Sequence, residues 1–231
     1  ACTIILVSIF ACAWGTRDQI PRLLDNQIED GKRFSFTSFY SDIWSVLQNR
    51  NYLYLLVGLF FLSLTIGTHE TLAIFMGTFF WELSPYQIGW LIIGGIIGTH
   101  VGFFFAARLH HRFDKRLTIS VSAFGLSIFW SMVVNLTLLG LAPANSSWAL
   151  VGMIIFFSIF SSGFGAILNI SVMSALADIA DQQELNTGLR LEGIFYSARA
   201  FFSKAMNAVG HVVAGFALEY YVMLPPGSVP G

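Results

Sequence analysis

Apolar positions in this chain come in long blocks, not in the alternation of a half-buried strand or the one-sided stripe of a surface helix. A helix needs about 20 apolar residues to cross a hydrocarbon core about 30 Å thick. Five stretches reach that length, roughly 52–80, 87–107, 118–141, 148–177 and 194–223. The polar connections between them are too short to hold a soluble domain, and the pattern predicts an all-α, polytopic transmembrane helical bundle over 52–223.

The flanks differ. Residues 1–14 are apolar but too short to span, and they lack the basic start of a signal peptide, so they read as the end of a truncated transmembrane helix. Residues 15–51 form a polar loop in which Phe34, Phe36, Phe39, Tyr40, Ile43, Trp44 and Leu47 recur near helical spacing. An interfacial helix and an ordinary linker with aromatic contacts both fit that pattern. Residues 224–231 read as an exterior tail, with the following helix missing.

Composition agrees with a membrane protein. Hydrophobic residues make up 55% of the 231 and charged residues only 11%, against about 25% charged in soluble domains. The net charge of -1 excludes a nucleic-acid partner, because phosphate recognition needs a dense basic surface. Cys2 and Cys12 share one apolar segment without metal or redox spacing and read as packing residues.

Charge orients the bundle. Lys and Arg occur in 15–51, in 108–117 and from Arg190 to Lys204, whereas 81–86, 142–147 and 224–231 have none. Basic residues favour the cytoplasmic side, so 15–51, 108–117 and 178–193 are expected there and the other connections outside. The expected location is an integral, multi-pass position in the plasma membrane, or the inner membrane of a bacterium. Asn145-Ser-Ser147 is then an exterior glycosylation sequon, of consequence only in a glycosylating host.

Few residues carry candidate chemistry. Lys204 lies ten residues into its apolar stretch, about 15 Å deep at about 1.5 Å per residue, where a charge costs about 2.5 to 3.5 kcal/mol and is seldom kept without a use. Asn207 and His211 follow on the same stripe, which predicts that this stripe faces protein or a water-filled cavity. Arg199, shallower, is placed to reach the cytoplasmic interface. A fixed ion pair tying helices together is the other reading of Lys204. On the preceding stretch Ser158, Ser162, Gly165 and Asn169 form a small or polar face that either lines a solute path or packs helices closely. Gly94, Gly98, Gly102 and Ala106 form a stricter small-residue series, read as helix contact, and His100 projects from another side. His69-Glu70 opens like a zinc-protease motif, but Ala73 stands where the second His belongs. Glu70 is either protonated, paired with a histidine or facing a vestibule. No metal site, nucleophile triad, phosphate loop or carboxylate pair is visible, so neither an enzyme nor a cofactor is expected.

The spacing Asp178-x-x-Asp181-x-x-Glu184-x-x-Thr187-Gly188-x-Arg190-x-Glu192-Gly193, then Tyr196-Ser197 and Lys204-Ala205, resembles the glycoside-pentoside-hexuronide:cation symporters, the melibiose-permease-like branch of the major facilitator superfamily. The match in spacing covers 174–208; elsewhere hydropathy agrees, including the basic run Arg108 to Arg116. The resemblance implies the C-terminal half of a twelve-helix transporter, from the end of helix six through helix eleven. Its partners would be a small-molecule solute, a monovalent cation (Na⁺ or H⁺), the lipid bilayer and the missing N-terminal half, which would hold most of the cation site. It implies that Lys204 lies near solute and cation. Asp178, Asp181, Glu184, Arg190 and Glu192 would form a cytoplasmic gate whose ion pairs break and re-form. Asn169, Ser162, Asn207, His211 and Glu70 complete the candidate substrate and coupling set. The polar face of 148–177 offers no Trp or Tyr as a plate for a sugar, which puts sugar as substrate in question. The expected function is cation-coupled symport of a glycoside or related polar solute by alternating access. The alternatives are the same fold carrying a lysolipid-like solute, or a non-transporting receptor or scaffold.

Overall fold

A computed structural model describes residues 2–17, 43–188 and 191–222. Phe34, Phe36, Phe39 and Tyr40 of the expected interfacial helix, Arg190 and the tail 224–231 lie outside the described residues. The chain divides into two units, Ala1–Ser41 and Asp42–Gly231. The first contributes helix α1, Cys2–Thr16, whose 15 residues are shorter than a full crossing.

In the second unit a short helical stretch at 43–48 precedes α2, Arg50–Phe75, which widens into a π-helical turn at Met76–Phe80. Then come α3, Pro85–Trp90, and α4, Ile92–Arg112, which together make one crossing, followed by α5, Lys115–Leu138, α6, Trp148–Thr187, and α7, Glu192–Ala217. Five helices are long and apolar enough to span a membrane: Arg50–Phe80, Pro85–Arg112, Lys115–Leu138, Trp148–Thr187 and Glu192–Tyr220. No strand forms among the described residues. The fold is an all-α transmembrane bundle.

Local signals set the helix ends. The Asn49 side chain accepts hydrogen bonds from the backbone N–H of Asn51 and Tyr52 and caps α2. Ser84 and Gln87 form a reciprocal capping box over Pro85, and Ser147 caps α6 through the Leu150 N–H. At the other end of α6, Gly188 takes φ 69°, a left-handed conformation that glycine adopts without strain. The helix continues ten residues beyond the apolar stretch ending at 177, a segment that includes Ala180, Gln182, Gln183, Glu184 and Leu185, which favour helix in water. Asp178, Asp181 and Glu184 consequently ride on a helix, and the connection to α7 shrinks to 188–191.

The helices pack as two close pairs with α5 added to one of them. In the α4–α6 pair Gly94, Gly98, Gly102 and Ala106 are all buried. A Cβ on Gly98 would strike the Ile159 carbonyl, and one on Gly102 the Gly163 carbonyl, so this stripe is a helix contact. The α2–α7 pair repeats the device: Gly67 sits against the Asn207 carbonyl and Gly210 against that of Leu64. Helix α5 seats on α6, where the Phe164 ring covers Gly125. Between the two pairs contact is sparse and gathers at the end carrying Arg50 and Asp178, where Tyr52 and Leu56 of α2, Leu176 and Ala180 of α6, and Phe195 of α7 form a buried cluster.

Gly98→Ala should lower the stability of the detergent-solubilised full-length protein by about 1 to 3 kcal/mol, since backbone must move to admit the methyl. Gly95→Ala, whose added carbon would stand 3.9 Å from Ser162 Oγ, should leave the melting temperature unchanged or raise it. Equal melting curves for the two variants would contradict the close crossing.

Candidate functional site

Because the pairs diverge beyond the Tyr52–Phe195 cluster, the bundle interior is not filled. An inner cavity of about 870 Å³ lies between α2, α4, α5, α6 and α7. Its polar wall consists of Ser63 and Ser203, whose hydroxyls hydrogen-bond at 3.0 Å, with Thr99, Ser162, Asn169, Ser174 and Arg199. A second cavity of about 780 Å³, with a more apolar lining that includes Leu64, Leu72, Met76 and Phe157, lies toward the opposite end. Trp130 and Ser161 border both.

Trp130 reaches the cavities from α5. Its ring stacks on His69 of α2, with centroids 4.0 Å apart and planes 5° from parallel. The Trp or Tyr missing from the polar face of 148–177 has a counterpart on a neighbouring helix. Ser127 and Ser131 accompany it along α5, a polar face that sequence analysis passes over. Arg199 of α7 lines the inner cavity, and its Nε is buried without a hydrogen-bond partner among the described residues.

The predicted site residues separate into two places. Ser162 and Asn169 line the inner cavity. Lys204, Asn207 and His211 line neither cavity: Lys204 is exposed, Asn207 is half-buried with its carbonyl against Gly67, and His211 is exposed. Lys204 forms no ion pair among the described residues. His211 instead meets α2. Its Nδ1 lies 2.7 Å from the Thr71 hydroxyl and its Nε2 3.8 Å from Glu70 Oε2. Glu70 and His211 are therefore neighbours, although 141 positions separate them in the sequence. His100 bonds only its own helix, through the Ile96 carbonyl.

At the basic end, among the described residues, Asp178 binds Lys115 Nζ at the start of α5; the Asp178 side chain is exposed and that of Lys115 about a third exposed. Exposed pairs contribute about 0.2 to 1 kcal/mol, so this contact breaks cheaply. Asp181 is exposed, Glu184 is half-buried with its carbonyl capped by the Gly188 N–H, and Glu192 opens α7. Neutral partners do more to join the helices there. Asn49 Nδ2 donates to Gln183 Oε1 at 3.0 Å, Asn51 Nδ2 to Gln182 Oε1 at 3.4 Å, and the buried Tyr52 hydroxyl to the Phe195 carbonyl at 2.9 Å. Sequence analysis did not single these residues out, because side chains that pair across helices leave no periodic signal.

Residues 1–230 match the family MFS/sugar transport protein. The chain belongs to this family. It is accordingly a multi-pass integral membrane transporter of the major facilitator superfamily. Neither the curated proteins nor the solved structures contain a match to it. In this transporter the two cavities and the Glu70–Thr71–His211 contact occupy the interior and the α2–α7 seam respectively.

Removing the Thr71 hydroxyl (Thr71→Val) should cost roughly 0.6 kcal/mol, the mean for interhelical hydrogen bonds in membranes. A double-mutant cycle with His211→Ala, read by thermal unfolding of the full-length protein, should recover that coupling. Strict additivity would show that the bond contributes nothing.

Proposed function

We propose that this protein is a secondary active transporter that carries a glycoside or related polar solute through the inner cavity, coupled to Na⁺ or H⁺ by alternating access. The observation that carries the reading is the inner cavity itself, which Trp130, Ser162 and Asn169 line together. An apolar plate with a few convergent hydrogen-bonding groups suits a sugar ring, whose faces are apolar and whose edge is hydroxylated. Trp130 of α5 offers the ring that the polar face of α6 lacks, which supports a sugar.

Coupling requires that ion and solute interact differently with the outward-open and inward-open states. Lys204, exposed on α7, is proposed to exchange carboxylate partners between those states, and Glu70 with His211 offers a second polar contact on the α2–α7 seam. At the basic end the cheap Lys115–Asp178 pair, with Asp181, Glu184, Arg190 and Glu192, is the proposed cytoplasmic gate. The Asn49–Gln183 and Tyr52–Phe195 contacts stiffen it. The melibiose-permease-like branch and a plasma-membrane location belong to this same reading. The apolar lining of the second cavity favours one alternative, a lysolipid-like solute.

Proteoliposomes holding the full-length protein test these readings. Labelled glycoside should accumulate when a Na⁺ or proton gradient is imposed and should not accumulate without one; labelled lysolipid entering in its place would select the alternative. Lys204→Met should abolish gradient-driven accumulation. Unaltered accumulation in that variant would end the coupling role of Lys204, and no uptake of either solute would favour a receptor or scaffold.

A further inference from the structure

Helix α4 ends and α5 begins in the run Arg108 to Arg116, which holds four Lys or Arg residues and a single acid, Asp114. Lys115 is bound to Asp178, whereas Arg108, Arg112 and Arg116 are exposed and make no ion pair among the described residues. On α4 the arginines belong to the side turned away from α6. Gly98 and Gly102 press the other side against that helix, while Ile97, Val101 and Phe104 form an exposed apolar stripe that continues at helical spacing into Arg108 and Arg112. The Arg108 guanidinium lies 4.6 Å from the centroid of the Phe104 ring, so the cation is held over that stripe. The depth is that of a headgroup. The crossing Pro85–Arg112 has 28 residues, about 42 Å at about 1.5 Å per residue against a hydrocarbon core about 30 Å thick, which leaves its last turn at the membrane surface. Charge bias during insertion requires only that a connection be basic, not that an arginine lie over a ring on an exposed stripe. At that level the anion that meets a fork of paired N–H donors is a phospholipid phosphate, and acidic lipids attract clusters of Lys and Arg beside a crossing most strongly.

We infer that the α4–α5 turn is a docking site for an acidic phospholipid of the surrounding leaflet: Arg108, Arg112 and Arg116 receive its headgroup, and an acyl chain lies along Ile97, Val101 and Phe104. The occupant is a lipid and not a soluble anion, because the arginines continue an apolar stripe that an inorganic ion leaves bare. The site is separate from the proposed solute path, since Arg108, Arg112 and Arg116 line neither cavity.

Native mass spectrometry of the purified full-length protein decides the matter, with the lipid retained from detergent micelles holding equal amounts of phosphatidylglycerol and phosphatidylcholine of identical chains. The wild type should retain phosphatidylglycerol over phosphatidylcholine by about threefold or more. Replacing Arg108, Arg112 and Arg116 together by Gln should bring the two lipids to near equality and leave the amount of phosphatidylcholine unchanged. R50Q removes a cation from the same end of the bundle but outside the turn, and should leave the preference as it is. Should the triple variant not yield a monodisperse protein, R108Q alone carries the test and should lower the preference about twofold. Four results would each overturn the inference. They are no preference in the wild type, a preference that survives the arginine replacements, an equal loss in R50Q, and displacement of the retained phosphatidylglycerol by excess inorganic phosphate, which would make the turn a site for soluble anions.

Discussion

Everything in this bundle hangs on two places where helix backbones touch. In a bilayer there is little hydrophobic gain in bringing one apolar helix against another, so association depends on close van der Waals contact and interhelical hydrogen bonds. Glycine supplies the first by removing the Cβ. Gly94, Gly98 and Gly102 let α4 lie on the carbonyls of α6, and Gly67 with Gly210 does the same for α2 and α7. The hydroxyl of Thr68, 3.1 Å from the Gly210 carbonyl, adds a hydrogen bond that such proximity makes possible. A methyl group at these crossings would separate the helices and everything mounted on them.

The interior space is a consequence of those contacts. Two tight pairs that touch each other mainly at one end must diverge toward the other, and the divergence leaves room for cavities. The walls then become the place where polar side chains can be buried without facing lipid. Serines, Asn169 and Arg199 are gathered there, while Phe60, Phe61, Phe103, Phe104 and Phe124 are exposed on the surface. The Tyr52–Phe195 cluster and the Asn49–Gln183 bond close the bundle at the basic end with one apolar plug and a few neutral hydrogen bonds.

Much of the architecture was legible in the sequence. Spanning segments follow from the cost of unsatisfied backbone in hydrocarbon, which forces each apolar block into a helix. The role of the Gly94 series was legible too, since a four-residue repeat of small side chains has one dominant use in a membrane helix. Less legible were the ends. Helix α6 runs to Thr187 because helix propensity in water does not stop where hydropathy falls. The site was the least legible part: Ser162 and Asn169 stood out as a face, but Trp130 and Arg199 did not, and Lys204 stood out by depth yet lines neither cavity.

The sequence by itself determined that the chain crosses a membrane repeatedly as helices, which ends are basic, and which glycine face must be a contact. Those properties depend on single residues or on the 3.6-residue period of one helix, which local pattern records. The tertiary structure alone decided that His69 stacks on Trp130, that Glu70 meets His211, and that Arg199 lines a cavity. Each of these joins residues from different helices, and the rotation and crossing of one helix against another are set by packing, about which the pattern within either helix says nothing.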